Sequence, residues 1–383
     1  MSTIKVNKIE NTGTTAGGVE IDSSGHVQVD GLQMPTAGPL SNRNLIINGA
    51  MQVAQRGTSS TASNYGSVDR WYMQTSGGTT THTQTAITSG DPYNEGFRYV
   101  ARLTNTTAAT GAGDYRNPLQ HIEAQNIAQS GWNYKSSSSY ITLSFWVRSS
   151  VSQEFFGFLR SRDGTEQAYS FSMGTLAADT WTKVTKSIPG NSNLTFDNDA
   201  NSGLILNLSM FWGTNFTTSG KAHDAWAAYS GSSRVPDTAT TWASTAGATF
   251  DFTGVQLELG EKATAFSHEP FSVTLAKCQR YFETSYPPGT SVGSVSNTAP
   301  TAQCVKTNSF RAWQDFKVTK RATPTVKFYS SNSGTVDKLY NASDAADVNV
   351  IADNHSENGA RVSVDAGGDG ELLRWNYTAE AEL

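Results

Sequence analysis

The chain has 383 residues, of which 16% are charged, with 28 Lys and Arg against 33 Asp and Glu and a formal net charge of -5. This length is enough to bury the cores of two or three domains. Binding to a nucleic-acid backbone needs clustered cationic side chains, and the sequence contains no basic run, so a nucleic-acid partner is not expected. The two cysteines, Cys278 and Cys304, are too few for a disulfide framework and are expected to be reduced, partly buried side chains.

Residues 1–42 alternate short apolar pieces with Gly, Thr and Ser turns. The apolar positions are Ile4, Val6, Ile9, Val19, Ile21, Val27, Val29 and Leu32. Alternation predicts strands, but these are too short to build a core of their own. Identical chains side by side could supply the missing partners, which predicts an assembly stalk, whereas a disordered leader is the alternative. A linker is expected over residues 35–42, where two prolines and a glycine interrupt any strand.

The first residues lack the basic head and apolar middle of a secretory signal, and no stretch approaches about 20 apolar residues. We therefore expect a soluble protein that is made in a cytoplasm and does not insert into a membrane.

Residues 43–268 have the pattern of one all-β domain, with short strands between turn residues. Asn44–Arg56 predicts an apolar strand that turns sharply at Asn48-Gly49 and pairs with a second strand. In the sequence from Tyr140 to Ser149 the apolar residues alternate, which places one face of that strand in a core. The clearest predicted strands are Tyr140–Ser149, Glu154–Arg160, Ala168–Met173, Thr182–Ile188, Leu204–Trp212 and Thr249–Leu259.

Residues 269–383 begin with a predicted short amphipathic helix within Pro270–Tyr286, ended by Pro287-Pro288-Gly289. Phe271, Leu275, Tyr281 and Phe282 are expected to pack it against the preceding domain. Further strands are predicted at Val305–Thr307, Gln314–Thr319, Thr325–Tyr329, Val348–Ala352, Ala360–Val364 and Leu372–Ala379.

Several short motifs lie along these segments: NLIING from Asn44, QRG from Gln55, DRW from Asp69, L-x-x-C-Q-R-Y from Leu275, and the ending RWNYTAEAEL. Together with the strand TFDFTGVQLELG, they resemble bacteriophage tail-fibre and receptor-binding tail proteins of the cyanophage or marine-phage kind. The resemblance covers nearly everything from Asn44 to Leu383. It implies a short amino-terminal β stalk, a carbohydrate-binding jelly-roll sandwich and a small carboxy-terminal β-rich tip with one short helix at the junction.

The resemblance also implies a homotrimer in the virion, attached through its amino end to a phage tail or adaptor protein. Adsorption to a host polysaccharide or lipopolysaccharide would be its function, strengthened by several weak contacts acting together. Two other roles stay open: a structural fibre protein without receptor binding, and a polysaccharide depolymerase.

Exposed aromatic rings are the best candidates for sugar binding, because sugars stack their C–H faces on them. Trp212, Trp226, Tyr229 and Trp242 cluster around the polar loop 213–247, although Trp212 and Trp242 could instead end strands and be buried. A second candidate surface is the carboxy-terminal domain, with Tyr340 and His355 near its loops. Trp71 and Trp181 are assigned to packing.

No catalytic residue is predicted. A glycosidase needs two carboxyl groups across a groove. Six acidic residues could serve, but no motif pairs any two of them, so solvated or turn-forming roles are expected. These residues are Glu123, Glu154, Asp163, Glu166, Asp251 and Glu258. The histidines lack metal-ligand spacing, and no G-x-S-x-G elbow is present. Asp197 and Asp199 could ligate a structural calcium ion or simply form a turn.

Overall fold

The computed structural model describes residues 8–9, 18–21, 27–29, 32–33, 43–296, 299–304, 310–365 and 368–383. These residues form an all-β protein with short helices in the connections, as the sequence predicts. The predicted strand at Val305–Thr307 and the predicted linker at 35–42 lie outside the described residues, as do Ile4 and Val6.

Four short antiparallel strands make up the described part of the amino-terminal segment: β1 Lys8–Ile9, β2 Val19–Ile21, β3 Val27–Val29 and β4 Leu32–Gln33. Their register pairs Ile9 with Val19, Val19 with Val29, and Ile21 with Val27. Because alternate residues share a face, these five apolar side chains lie on one face of the sheet, and all five are exposed. We call this surface the leader face.

The central domain is a sandwich of two antiparallel sheets. Its strands are β5 Ser59–Ser60, β6 Tyr72–Ser76, β7 Thr80–Ala86, β8 Tyr99–Asn105, β9 Tyr115–Glu123, β10 Tyr140–Ser149, β11 Gln153–Ser161, β12 Gln167–Leu176, β13 Thr182–Pro189, β14 Ser202–Ser209, β15 Phe211–Trp212, β16 Ala225–Ala228 and β17 Thr249–Leu259. One sheet has the order β13-β10-β17-β8-β7-β5, and the other β15-β9-β14-β11-β12-β16 with β6 paired to β9. The helices α1 Asp91–Asn94, α2 Ala124–Ala128 and α3 Thr241–Ser244 lie in the connections.

The core lies between these two sheets. Ile141, Leu143, Phe145 and Val147 of β10 are fully buried in it together with Phe155, Phe171 and Leu206 of the opposite sheet. The strands predicted over Tyr140–Ser149 and Thr249–Leu259 match β10 and β17, and the other four coincide with β11 to β15. The strand predicted over Leu204–Trp212 is interrupted at Met210, between β14 and β15. Trp71 is buried in this core, as predicted.

The hairpin predicted over Asn44–Arg56 is wrong. Residues 46–50 form turns, with no strand from residue 43 to residue 58. The Asn48 side chain is the physical reason: its amide donates to the carbonyls of Val53 and Asp69 at 2.9 and 3.0 Å, and its oxygen accepts from the Val53 amide. A buried side chain therefore makes the bonds that a partner strand would otherwise provide.

The carboxy-terminal domain follows the predicted helix, which is α4 Phe271–Gln279. Its strands are β18 Phe282–Thr284, β19 Thr301–Gln303, β20 Phe310–Asp315, β21 Thr325–Ser330, β22 Lys338–Asn341, β23 Ala346–Asn349, β24 Ile351–His355, β25 Gly359–Val364 and β26 Leu372–Glu380. One sheet is built around β26, which pairs with β18, β19, β21 and β22, and the other has the order β20-β25-β24. Phe310, Phe328, Val362, Trp375 and Tyr377 form its core.

Three predictions for this domain need correction. The strand predicted at Gln314–Thr319 is β20, which ends at Asp315, and the one predicted at Val348–Ala352 is divided between β23 and β24. Phe271 does not pack its ring away: it is 47% exposed, because the buried side of α4 carries Thr274, Cys278 and Gln279 instead. Cys278 and Cys304 are both buried, and they do not form a disulfide with each other.

In the described ranges, α4 is the longest helix, and none is long and apolar enough to cross a membrane.

Candidate functional site

The motifs that stood out in the sequence meet at the junction between the sandwich and the carboxy-terminal domain. Arg280 donates from Nε and Nη2 to the two oxygens of Glu123, both at 2.8 Å, and the Tyr281 hydroxyl donates to the same carboxylate at 2.5 Å. The guanidinium carbon of Arg70 lies 3.4 Å from the centroid of the Tyr281 ring. Arg70 also forms an ion pair with Glu382. These sequence motifs therefore hold the two domains together.

Gln55 and Arg56 complete this junction network. The Gln55 amide nitrogen Nε2 donates to Asp69 at 2.6 Å and to the Phe282 carbonyl at 2.7 Å. The guanidinium carbon of Arg56 lies 3.6 Å from the centroid of the Phe282 ring. Asp69 is fully buried beside them, and this burial raises the pKa of Asp69 to about 6, even though Arg56 and Gln55 oppose the shift. The QRG and DRW motifs thus act structurally.

Three of the six acids expected to be solvated are buried instead, so that expectation is wrong for them. Glu123 is held by Arg280 and Tyr281, Asp251 accepts from Arg102 and Arg148, and Glu258 accepts from Thr264 and pairs with Arg43. Their oxygens are occupied by cations and hydroxyls of the protein. Glu154, Asp163 and Glu166 lie at the surface.

Two of the four aromatic residues predicted around the loop 213–247 are buried. Trp212 donates from Nε1 to Ser209 at 2.9 Å and is covered by Arg234, whose guanidinium carbon is 4.2 Å from the ring centroid. Trp242 lies in the sandwich core. As contact residues these two predictions are wrong, because Trp212 packs with Phe156, Phe158 and Val235 and Trp242 packs in the sandwich core. Trp226 is half-buried, packs its edge on Tyr169 and donates to the Pro189 carbonyl at 2.7 Å.

Tyr229 lies on the surface of the same sheet, on the face that points away from the core. The guanidinium carbon of Arg160 is 3.6 Å from the centroid of its ring. Glu166 accepts from Arg160 Nε at 2.8 Å and from Arg162 Nη1 at 2.6 Å. We call these four residues the Tyr229 cluster. Its donors, carboxylate and ring have the composition of a sugar-binding surface, although Arg160 covers one side of the ring.

The remaining predicted residues do not gather into one site. Tyr340 lies on β22, opposite Asp347 and Arg374, and is half-buried. His355 ends β24 in the other sheet, opposite Ala360, and its buried Nδ1 has no hydrogen-bond partner among the described residues. Both oxygens of Asp199 accept from Asn201, and the Asp197 amide donates to Asp163. No group of three or more His, Cys, Asp or Glu among the described residues is arranged for a metal ion, and calcium at Asp197 and Asp199 stays a prediction.

Trp313 is a candidate that the sequence interpretation missed. It lies on β20, an edge strand of the three-stranded sheet, and 51% of its surface is exposed. Its Nε1 donates to Asp315 at 2.8 Å. A Cβ atom at Gly359 would come within 2.6 Å of Nε1 and 2.7 Å of Cε2, so the indole packs directly on that glycine.

Arg311 and Asp315 flank Trp313 on the same strand face, because alternate residues of a strand point the same way. Arg311 is fixed by a hydrogen bond of 2.8 Å to Asp365. We call Arg311, Trp313, Asp315 and Gly359 the Trp313 platform. The sequence signal that could have found it is the string R-A-W-Q-D, which places a tryptophan between two charged residues on one face of a strand.

No protein-family model and no curated protein matches the chain. Three solved structures that match are 12% or 13% identical to this chain. The enzymatically active domain of bacteriophage CBA120 tailspike protein 4 is 13% identical over 57% of this chain, with a TM-score of 0.31, and the match spans 22% of that structure.

Two carbohydrate-binding modules match over a similar part of the chain. The xylan-binding domain CBM22-1 from Paenibacillus barcinonensis Xyn10C is 12% identical over 60% of this chain and 100% of its own, with a TM-score of 0.29. A family 30 carbohydrate-binding module is 13% identical over 61% of this chain and 93% of its own, also with a TM-score of 0.29. The candidate surfaces are therefore defined by this chain's own side chains.

Proposed function

We propose that the chain is a phage tail fibre protein that adsorbs the virion to a glycan on the host-cell surface without cleaving it. The observation that carries this proposal is the Trp313 platform. Burial is the usual state of a tryptophan, so a half-exposed indole held in one orientation by Asp315 and Gly359 needs an explanation. Stacking of a sugar ring on the indole supplies one.

The groups around the indole favour a sugar over an apolar partner. Arg311 and Asp315 lie on the same strand face as Trp313, and both are exposed. A guanidinium donates hydrogen bonds and a carboxylate accepts them, which are the two functions that sugar hydroxyls require. The Tyr229 cluster offers the same combination on the sandwich, so one chain would carry two weak contact surfaces.

Assembly as a homotrimer would multiply these contacts. The leader face exposes five apolar side chains, and a sheet of so few short strands is not stable alone. Three copies packed through the leader face would bury it, and the amino end would then join the phage tail or an adaptor protein. Weak sugar contacts repeated three times would give firm attachment.

Binding without cleavage is supported by the roles of the buried acids. Glu123, Asp251 and Glu258 are each engaged with protein cations or hydroxyls, which leaves them poorly placed to act as a general acid or a nucleophile. The second candidate function, a structural fibre protein without a receptor, is favoured by the junction network, since the most distinctive motifs serve domain docking.

The test compares the wild-type protein with Trp313→Ala on candidate host cells and on their extracted surface polysaccharide. Retention should fall at least tenfold, which corresponds to about 1.4 kcal/mol. Phe271→Ala removes a ring of nearly equal exposure from another surface and should bind like the wild type.

The length of the polysaccharide after incubation separates the alternatives. Intact polymer is expected. Shortened polymer would indicate a depolymerase, and a wild-type protein that is not retained at all would indicate a structural protein. Unchanged retention of a folded Trp313→Ala variant would remove the Trp313 platform as the binding surface.

A further inference from the structure

A cavity of about 540 Å³ lies between the sandwich and helix α4, away from both candidate surfaces. Its walls are the segment 43–47, helix α2, the end of β17 and the last turn of α4. Asn126 of α2 and Gln129, which follows that helix, are exposed, so solvent reaches the cavity. This volume is within the range of small-molecule sites and is ample for one sugar ring with its substituents.

Three cations line the cavity: Arg43, Lys277 and Arg280. The lining contains no Asp or Glu. Arg43 pairs with Glu258, Lys277 with Glu269, and Arg280 with Glu123, and these three carboxylates lie outside the lining. The ion pairs therefore fix the three cationic groups in the wall of the cavity.

One nitrogen of the Arg280 guanidinium is not used by the carboxylate that pairs with it. The Nε and Nη2 of Arg280 both donate to Glu123, whereas its Nη1 does not bind that carboxylate. The Arg280 side chain is about one-third exposed, as is that of Lys277. An anionic oxygen in the cavity could accept from both, and such charge-assisted bonds are stronger than neutral ones.

The rest of the lining suits the remainder of a sugar. The Asn126 amide can donate to hydroxyls and accept from them, and the Gln129 amide, whose Nε2 already donates to Asn198 at 2.6 Å, can accept from them. Leu45, Leu259 and the Tyr281 ring provide apolar walls for a C–H face. A simple inorganic anion would leave both the amides and the apolar walls unused.

We propose that this cavity binds one acidic monosaccharide unit, with its carboxylate on Lys277 and Arg280 and its hydroxyls on Asn126 and Gln129. The choice of a sugar acid rather than another organic acid rests on the proposed function. The cavity would then select for acidic glycans, whereas the Trp313 platform would stack rings regardless of their charge.

The experiment is a calorimetric titration of the full chain with glucuronic acid, glucose and inorganic phosphate in separate arms. Glucuronic acid should bind at least tenfold more tightly than glucose or phosphate. Lys277→Gln removes one cation and should weaken glucuronic acid binding about tenfold, and Asn126→Trp should fill the cavity from an exposed helix position and abolish binding. Lys327→Gln, an exposed cation of β21, is the matched control and should bind like the wild type.

Equal binding by the wild type and the two cavity variants would overturn the inference, and so would phosphate that binds as tightly as glucuronic acid. Thermal unfolding of each variant checks that it is folded. Cell adsorption by Trp313→Ala tests the proposed function separately from the cavity variants, whose readout is the titration with glucuronic acid.

Discussion

Arg70 and Glu382 form an ion pair between the start of the sandwich and the end of the chain, with side chains that are only 1% and 6% exposed. The Tyr281 ring covers the guanidinium of Arg70 from one side. Neither charge can be solvated if the other is removed, because both are enclosed by the two domains. The ion pair therefore couples the stability of the sandwich to the docking of the carboxy-terminal domain.

Glu382→Gln is expected to lower the free energy of unfolding by about 3–5 kcal/mol, because it leaves the Arg70 charge buried without its partner. Equilibrium unfolding in urea measures this loss. Glu380→Gln is the matched control: Glu380 also pairs with an arginine, Arg56, but is 49% exposed, so its loss should cost less than about 1 kcal/mol. Equal costs for the two variants would contradict a buried junction.

Asp69 is expected to make stability fall as the pH rises from 4 to 7. Its pKa is raised from 3.8 to about 6 by burial, so the folded state holds the Asp69 proton more tightly than the unfolded state. The contribution is fully favourable below pH 3.8 and is lost as the pH passes through about 6. Asp69→Asn has no such titration. The wild type should therefore lose up to about 3 kcal/mol relative to this variant over the range, measured by unfolding at each pH. A constant difference would show that Asp69 titrates normally.

Gly359→Ala should disturb the Trp313 platform without removing the indole. The added Cβ would lie 2.6 Å from Trp313 Nε1 and 2.7 Å from the Gln314 carbonyl oxygen, so the ring and the strand must shift. Glycan affinity should fall severalfold and stability by about 1–3 kcal/mol. The shift should also change the indole fluorescence. Gly231→Ala meets nothing within 4 Å and should change neither property. Unaltered glycan affinity in Gly359→Ala would show that glycan binding does not depend on the position of the indole.

The sandwich strands could be predicted from the sequence because their apolar residues alternate with the period of a half-buried strand. Tyr140–Ser149 and Thr249–Leu259 are examples, since each has its inward side chains in one core. The segment after Asn44 could not be predicted, because its conformation depends on a hydrogen bond between Asn48 and Asp69, which are 21 residues apart. Local sequence patterns do not predict a contact between residues so far apart in the chain.

The candidate site was harder to predict for a related reason. Whether a tryptophan is exposed depends on which distant segment covers it: Arg234 covers Trp212, and the sandwich core encloses Trp242. Trp313 stays exposed because it is on the outer face of an edge strand, with charged neighbours on both sides. Of the residues predicted for sugar binding, Tyr229 is half-buried on the outer face of the sandwich with charged groups around its ring.

The leader face gives the last prediction, which concerns assembly. Val19 and Val29 are register partners at its centre, and both are exposed. If three copies bury this face, Val19→Ser with Val29→Ser should convert trimers to monomers, because apolar burial is the main source of such association. Sedimentation equilibrium measures the mass of the assembly.

Glu20→Ser with Gln28→Ser changes the register partners on the opposite face of the same strands and is the matched control. That variant should remain trimeric, and the sandwich should unfold at the same temperature in both variants, since its core is independent of the leader. Trimers that persist in the double serine variant of the leader face, or after deletion of the residues before Pro35, would place the assembly contacts elsewhere in the chain.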